Sequence, residues 1–125
     1  MGQALCVLVA GVLRASVPAT EFTLEWKHSV QQTQWLESYR IERGMLVLVE
    51  ARVEGSGAGM EPGANARFDG RGWVWQPAGA PLRSIDLAHS TFGGDYQLCS
   101  DARCSTLRDL TGGSDGVVTL RPCPG

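Results

Sequence analysis

Residues 22–60 read FTLEWKHSVQQTQWLESYRIERGMLVLVEARVEGSGAGM, and their alternation decides the fold. Phe22, Leu24, Trp26, His28 and Val30 share one parity, and Thr23, Glu25, Lys27 and Ser29 share the other. That is the pattern of a half-buried strand. A second run puts Trp35, Glu37, Tyr39 and Ile41 on one face and Leu36, Ser38 and Arg40 on the other. The third, MLVLVEARV, is rich in β-branched residues and divides into Met45, Val47, Val49, Ala51, Val53 and Leu46, Leu48, Glu50, Arg52. The reading predicts strands over Phe22–Val30, Thr33–Glu42 and Met45–Val53, joined antiparallel by tight turns at Gln31-Gln32 and Arg43-Gly44.

Two-residue turns imply a register. Trp26 lies opposite Glu37, and His28 opposite Trp35; beyond the second turn Ile41 faces Leu46, Tyr39 faces Leu48 and Glu37 faces Glu50. His28, Glu37, Glu50 and Arg52 then gather at one end of an otherwise apolar face. Opposed carboxylates call for a counter-charge, a shared proton or a bound cation. Three readings follow: an ion-pair network with Arg52, a ligand or metal site, and a general acid/base pair. The third has no nucleophile, because Ser29 points away from its neighbour His28 on a strand. All three depend on register, since a one-residue slip scatters the set. The run that follows carries Gly55, Gly57, Gly59 and Gly63. It reads as a turned connector or as a ligand-contacting loop able to form an anion nest. It is not a P-loop: no Lys-Ser/Thr follows, and Pro62 discourages a helix.

The rest of the chain agrees with an all-β reading. At 125 residues the length supports one core, hence one domain. A net charge of −2 without a basic cluster argues against a nucleic-acid partner. Turn signals recur every eight to twelve residues, helical periodicity is lacking, and the expected architecture is an antiparallel β-sandwich or a partly open barrel built from hairpins. No cofactor is implied, and no run is long enough to cross a bilayer as a helix. LCVLVAG and VLRASVPA, around Gly11, read as a first hairpin; the alternative is a signal peptide ending at Val17-Pro18-Ala19, although Lys and Arg are missing before its apolar run. ARFDGRGWVWQP reads as a hairpin turning at Asp69-Gly70, with Trp73 and Trp75 on one face as core or, if exposed, as a platform for a ring-bearing ligand or partner. SIDLAHSTF, GGDYQLC, CSTLRDL and GVVTLRP supply the later strands, and His89 shares a face with Ile85 and Leu87.

The four cysteines allow three pairings. Cys99 and Cys104 bracket a four-residue hairpin loop, which sets them opposite each other. Cys6 and Cys123 then join the first strand to the last. An even count at strand ends suits an oxidising, periplasmic or extracytoplasmic compartment. Buried free thiols and a zinc site are the alternatives; the second cysteine pair forms no zinc knuckle.

H-S-V-x-x-T-x-W-x-E, then LVLVEARVEG, then G-S-G-A-G-M-E-P, with W-V-W-x-P and L-R-P-C-P later, resemble the bacterial family known as domain of unknown function eighteen-fifty. The resemblance implies an exported protein encoded beside TRAP-type transporters of the TAXI class. Many members have Glu-Lys where Gln31-Gln32 stands here. It implies no catalytic residue. The expected function is that of a non-enzymatic exported accessory protein whose partners are TRAP transporter components or their solute-binding protein. The alternative is a small-ligand or metal-binding β-domain using the His28, Glu37 and Glu50 face.

Overall fold

A computed structural model describes residues 3–27, 34–54, 66–77, 79–89, 96–101, 103–113 and 116–124. Among these residues eleven strands form two antiparallel sheets, accompanied by one short helix. The architecture is a sandwich, with neither sheet closed into a barrel. The meander of the central stretch is β3 (Glu21–Lys27), β4 (Gln34–Glu42) and β5 (Met45–Glu54). It is extended on one side by β7 (Gly72–Trp75) and β6 (Arg67–Phe68), and on the other by β9 (Gln97–Ser100) and β10 (Arg103–Thr106), in the order β10-β9-β3-β4-β5-β7-β6. The smaller sheet has the order β2-β1-β11-β8, from β1 (Ala4–Val9), β2 (Val12–Pro18), β8 (Ile85–His89) and β11 (Gly116–Pro122).

Tight turns hold the hairpins as backbone sterics require. Arg43 and Gly44 both have positive φ, 53° and 73°, and so do Ala10 and Gly11, 51° and 77°. That is the mirror-image turn whose twist suits two-residue hairpins. At the third hairpin the turn sits one residue later than Asp69-Gly70. Gly70 and Arg71 are its central pair, closed by the Asp69 N–H to the Gly72 carbonyl at 3.0 Å. Gly72 is required by close approach. A Cβ there would lie 2.1 Å from the backbone oxygen of Val53.

The first hairpin does not take the register of a Gln31-Gln32 turn. Trp26 pairs with Trp35 and Phe22 with Tyr39, so Glu37 faces Leu24. This register stacks two aromatic pairs across the strands, Phe22 on Tyr39 with centroids 5.1 Å apart and Trp26 on Trp35 at 5.9 Å. The expected register would set Trp26 against a carboxylate instead; aromatic cross-strand pairs are the stronger determinant.

The second hairpin keeps its expected pairs, Ile41 with Leu46 and Tyr39 with Leu48, and then breaks step. Ser38 pairs with Glu50 and Glu37 with Ala51, leaving Val49 as a β-bulge. The slip changes the face of every later residue in β5. Ala51 and Val53 turn inward, 2% and 0% exposed, while Glu50 and Arg52 turn out. Burying a side chain such as Val53 stabilises by about 1.5–3 kcal/mol, whereas an unbulged strand would drive Glu50 and Arg52 toward the core.

Phe22, Leu24, Tyr39, Ile41, Leu46 and Leu98 from the large sheet pack against Leu5, Val7, Val118 and Leu120 from the small one. The short helix α1 (Leu107–Thr111) adds Leu107, fully buried. This segment was expected to continue as strand. Thr106 Oγ1 instead accepts from the Asp109 N–H, and Gly112 ends the turn in the left-handed conformation. Threonine as N-cap and glycine after the last helical residue are the usual helix boundaries.

Both disulfides form. Cys99 and Cys104 are direct cross-strand partners, and Cys6 joins Cys123 over a sequence separation of 117, clamping β1 to the end of β11. Loop-entropy arithmetic assigns about 5 kcal/mol to the long closure and about 2 kcal/mol to the short one. Urea denaturation of Cys6→Ala/Cys123→Ala is therefore expected to show a loss at least twice that of Cys99→Ala/Cys104→Ala. Equal losses would contradict the chain-closure account.

Candidate functional site

The bulge and the aromatic register decide which polar residues can meet. Glu37 lies on the inner face beside Ala51, and Glu50 on the outer face beside Ser38. The expected convergence of Glu37, Glu50 and Arg52 does not occur. Glu50 instead borders a recess with Arg67, Val74 and Gln76. Arg52 pairs with Asp69 at 2.5 Å. His28 and the loop positions Gly55, Gly57 and Gly59 lie outside the described residues.

Asp69 is a turn residue turned counter-ion. Its Oδ1 accepts from the backbone N–H groups of Arg71 and Gly72, each at 3.0 Å, and its Oδ2 meets the Arg52 guanidinium. The Arg71 N–H foremost, then Arg52 and the Gly72 N–H, lower its pKa to about 2. Elsewhere Arg40 bonds Glu42 at 3.1 Å and lies 3.7 Å from Glu21, and Gln34 donates to Glu25. Arg40 and Arg52 are thus each engaged by carboxylates on the outer face.

Glu37 has a different setting. Cross-strand pairing ranks the inner face into rows. One row runs Trp26, Trp35, Val53, Trp73; the next runs Leu98, Leu24, Glu37, Ala51, Trp75; and the next contains Phe22, Tyr39 and Leu48. Glu37 therefore stands between Trp35 and Tyr39 along its own strand, with the smallest inward side chain, Ala51, beside it. Tyr39 Oη donates to Glu37 Oε1 at 2.9 Å. Burial raises the pKa of Glu37, and the tyrosine hydrogen bond opposes part of that rise. Burial, followed by the charge of Glu37, pushes both Tyr39 and Tyr96 upward.

Around this carboxyl the aromatic rings are contiguous. Trp26 stacks on Trp35, Tyr96 tilts against Trp26 at 5.4 Å, and Trp75 meets Trp35 edge-on at 6.3 Å. All four rings are only half-buried. Trp35, Trp73 and Trp75 stand apart from the core cluster beneath the small sheet. Phe68, 51% exposed, continues the surface against Trp73. The Nε1 of Trp35 is buried and finds no acceptor among the described residues. The alternation sets Trp26 and Trp35 on the face of Glu37 and Trp73 and Trp75 on one common face; it assigns no face to Tyr96 or Phe68, and the alignment of Trp73 and Trp75 with Glu37 depends on the bulge.

This arrangement offers an aromatic shelf with one carboxyl set into it. It suits an apolar ligand body with a polar group, rather than a metal. Among the described residues no group of three His, Cys, Asp or Glu is placed to hold a metal ion. Also among the described residues, no helix is long and apolar enough to cross a membrane.

Residues 22–107 match the family described as Domain of unknown function (DUF1850). The chain belongs to that family. The matched span contains the whole aromatic shelf and Glu37, while β1, β2 and β11 lie outside it. No curated protein and no solved structure matches the chain.

Two pH effects of opposite sign follow. Glu37 has a folded-state pKa above its ordinary 4.5, so its contribution is full at lower pH and is lost as pH rises through the raised value. Asp69 is lowered from 3.8 to about 2, so its contribution is present above pH 4 and is lost as pH falls toward 2. Urea melts at stepped pH are expected to show that Glu37→Gln removes the decline above pH 4.5. Asp69→Asn is expected to flatten the acid limb and leave the upper one unchanged.

Proposed function

We propose that this protein is a non-enzymatic, extracytoplasmic accessory domain that binds a small solute on the aromatic shelf around Glu37 and works beside a TRAP-type transporter of the TAXI class. The observation that carries the reading is the run Tyr96, Trp26, Trp35 and Trp75, half-buried in ring-to-ring contact beside a partly buried carboxyl. Structural tryptophans ordinarily bury their rings beneath other side chains. Rings left half-open in series supply large contact area and a defined orientation to a ligand.

The compartment is supported by the two disulfides, which persist where the environment is oxidising. The transporter association rests on the family resemblance. The non-enzymatic reading rests on the surroundings of Glu37: its hydrogen-bond partner is the Tyr39 hydroxyl, and Ser38, its neighbour on the strand, faces the opposite side. A carboxyl whose hydrogen-bond partner is a phenol, with the neighbouring serine turned away, is better suited to orienting a bound group than to cleaving one.

Tryptophan fluorescence tests this directly. Titrating the purified protein with the solutes carried by the adjacent transporter is expected to quench or shift the emission saturably, and Trp75→Ala is expected to weaken binding at least tenfold while the fold is kept. A wild-type protein indifferent to every such solute would reject the binding role. Co-purification with the transporter's solute-binding protein checks the association separately.

A further inference from the structure

We propose that the ligand of this shelf is an organic cation, an ammonium group on an apolar body, with Glu37 as its counter-ion and the faces of Trp26, Trp35 and Trp75 as its walls. The inference rests on the shelf being a binding site and adds the chemical class.

The argument is one of charge. The negative faces of aromatic rings attract a cation within about 6 Å of the ring centroid, most strongly for tryptophan. Glu37 shares its face with Trp35, two residues along the same strand. Strand geometry puts that step at about 6.6 Å. A cation seated against the indoles therefore lies within reach of the carboxylate. Glu37 also lacks a cationic partner among the described residues. Arg40 is engaged by Glu21 and Glu42, and Arg52 by Asp69, while Arg103 shares the inner face but stands on β10, three strands away from β4. The Tyr39 hydroxyl satisfies only one carboxylate oxygen.

Other ligand charges fit less well. An anion would approach Glu37 without a compensating cation beside it among the described residues. A neutral ligand would cover the carboxyl and deepen the burial that already disfavours its charge. An ammonium offsets that burial and adds the ring attraction, both at one place.

Three probes sharing one phenyl body separate these cases: 2-phenylethylammonium, 2-phenylethanol and 3-phenylpropionate, each titrated by calorimetry and by tryptophan fluorescence. The wild-type protein is expected to bind the ammonium at least tenfold tighter than the alcohol, with the propionate weakest. Glu37→Gln keeps an acceptor for Tyr39 and is expected to bring the ammonium down to the alcohol, leaving the alcohol within twofold. Trp75→Ala is expected to weaken ammonium and alcohol alike. Equal binding of ammonium and alcohol by the wild-type protein, or an ammonium affinity unchanged in Glu37→Gln, overturns the cation while the shelf remains a binding site. Preference for the propionate overturns it also. If none of the three binds at millimolar concentration and the transporter solutes are silent as well, the binding role itself falls.

Discussion

The bulge at Val49 is the constraint on which the large sheet depends. A strand has two faces and a strict period, so one extra residue exchanges them from that point on. In β5 the exchange is what keeps Leu46 and Leu48 on the same side as Ala51 and Val53, and it expels Glu50 and Arg52. Its effects continue across the sheet. Ala51 and Val53 are the residues against which Trp75 and Trp73 register, so the indoles of β7 face inward only because β5 has changed step. Arg52, once outside, meets Asp69, and that ion pair holds the β6–β7 turn to the strand that feeds it. Gly72 completes the arrangement, because nothing larger fits against the Val53 carbonyl.

One event thus separates two electrostatic regimes. On the outer face, Arg40 pairs with Glu21 and Glu42 and Arg52 with Asp69, all of them at least partly exposed. Such pairs contribute little each. On the inner face, Glu37 is left with a phenol, a run of indoles and the alanine that the bulge brings beside it. The two aromatic stacks that fix the register of β3 on β4, Phe22 on Tyr39 and Trp26 on Trp35, are also what surround the carboxyl. Stability and the chemistry of the site therefore draw on the same rings, and substitutions at Trp26 or Trp35 disturb both. Trp75, at the edge of the stack and outside the main core, separates the two roles more cleanly.

Much of this was legible in the chain. Parity located the meander, the Arg43-Gly44 turn followed from its short length, and the cysteine spacing identified both disulfides. The polar cluster was misread for two local reasons. The sequence between β3 and β4 carries no glycine to pin a two-residue turn, so register passed to the Phe22–Tyr39 and Trp26–Trp35 pairs. The bulge did leave a trace: a strict alternation puts Glu50 and Arg52 on the face of Leu46 and Leu48 and turns Val53 outward, a conflict that a phase change removes. The helix after Thr106 was also marked, by threonine three residues before Asp109 and by Gly112. The pairing of β9 with β3 was not marked. Those strands are far apart in sequence, and an alternating pattern says which face is buried without naming its neighbour.

The family match adds a division that the fold makes intelligible. The matched span contains the large sheet from Phe22 through β10 and one strand of the small sheet, β8. Of the three strands outside it, β1 and β11 are clamped together by Cys6–Cys123 and supply Leu5, Val7, Val118 and Leu120 to the core. A lid of this kind need only be apolar on one side and firmly closed. Many sequences satisfy that, and the disulfide supplies closure that does not depend on fine packing. The large sheet must instead hold a bulge, two aromatic stacks and a glycine against a carbonyl in one register. The elements whose placement is most constrained are therefore the ones that build the shelf, with the covalent clamp stabilising the small sheet from the far side of the core.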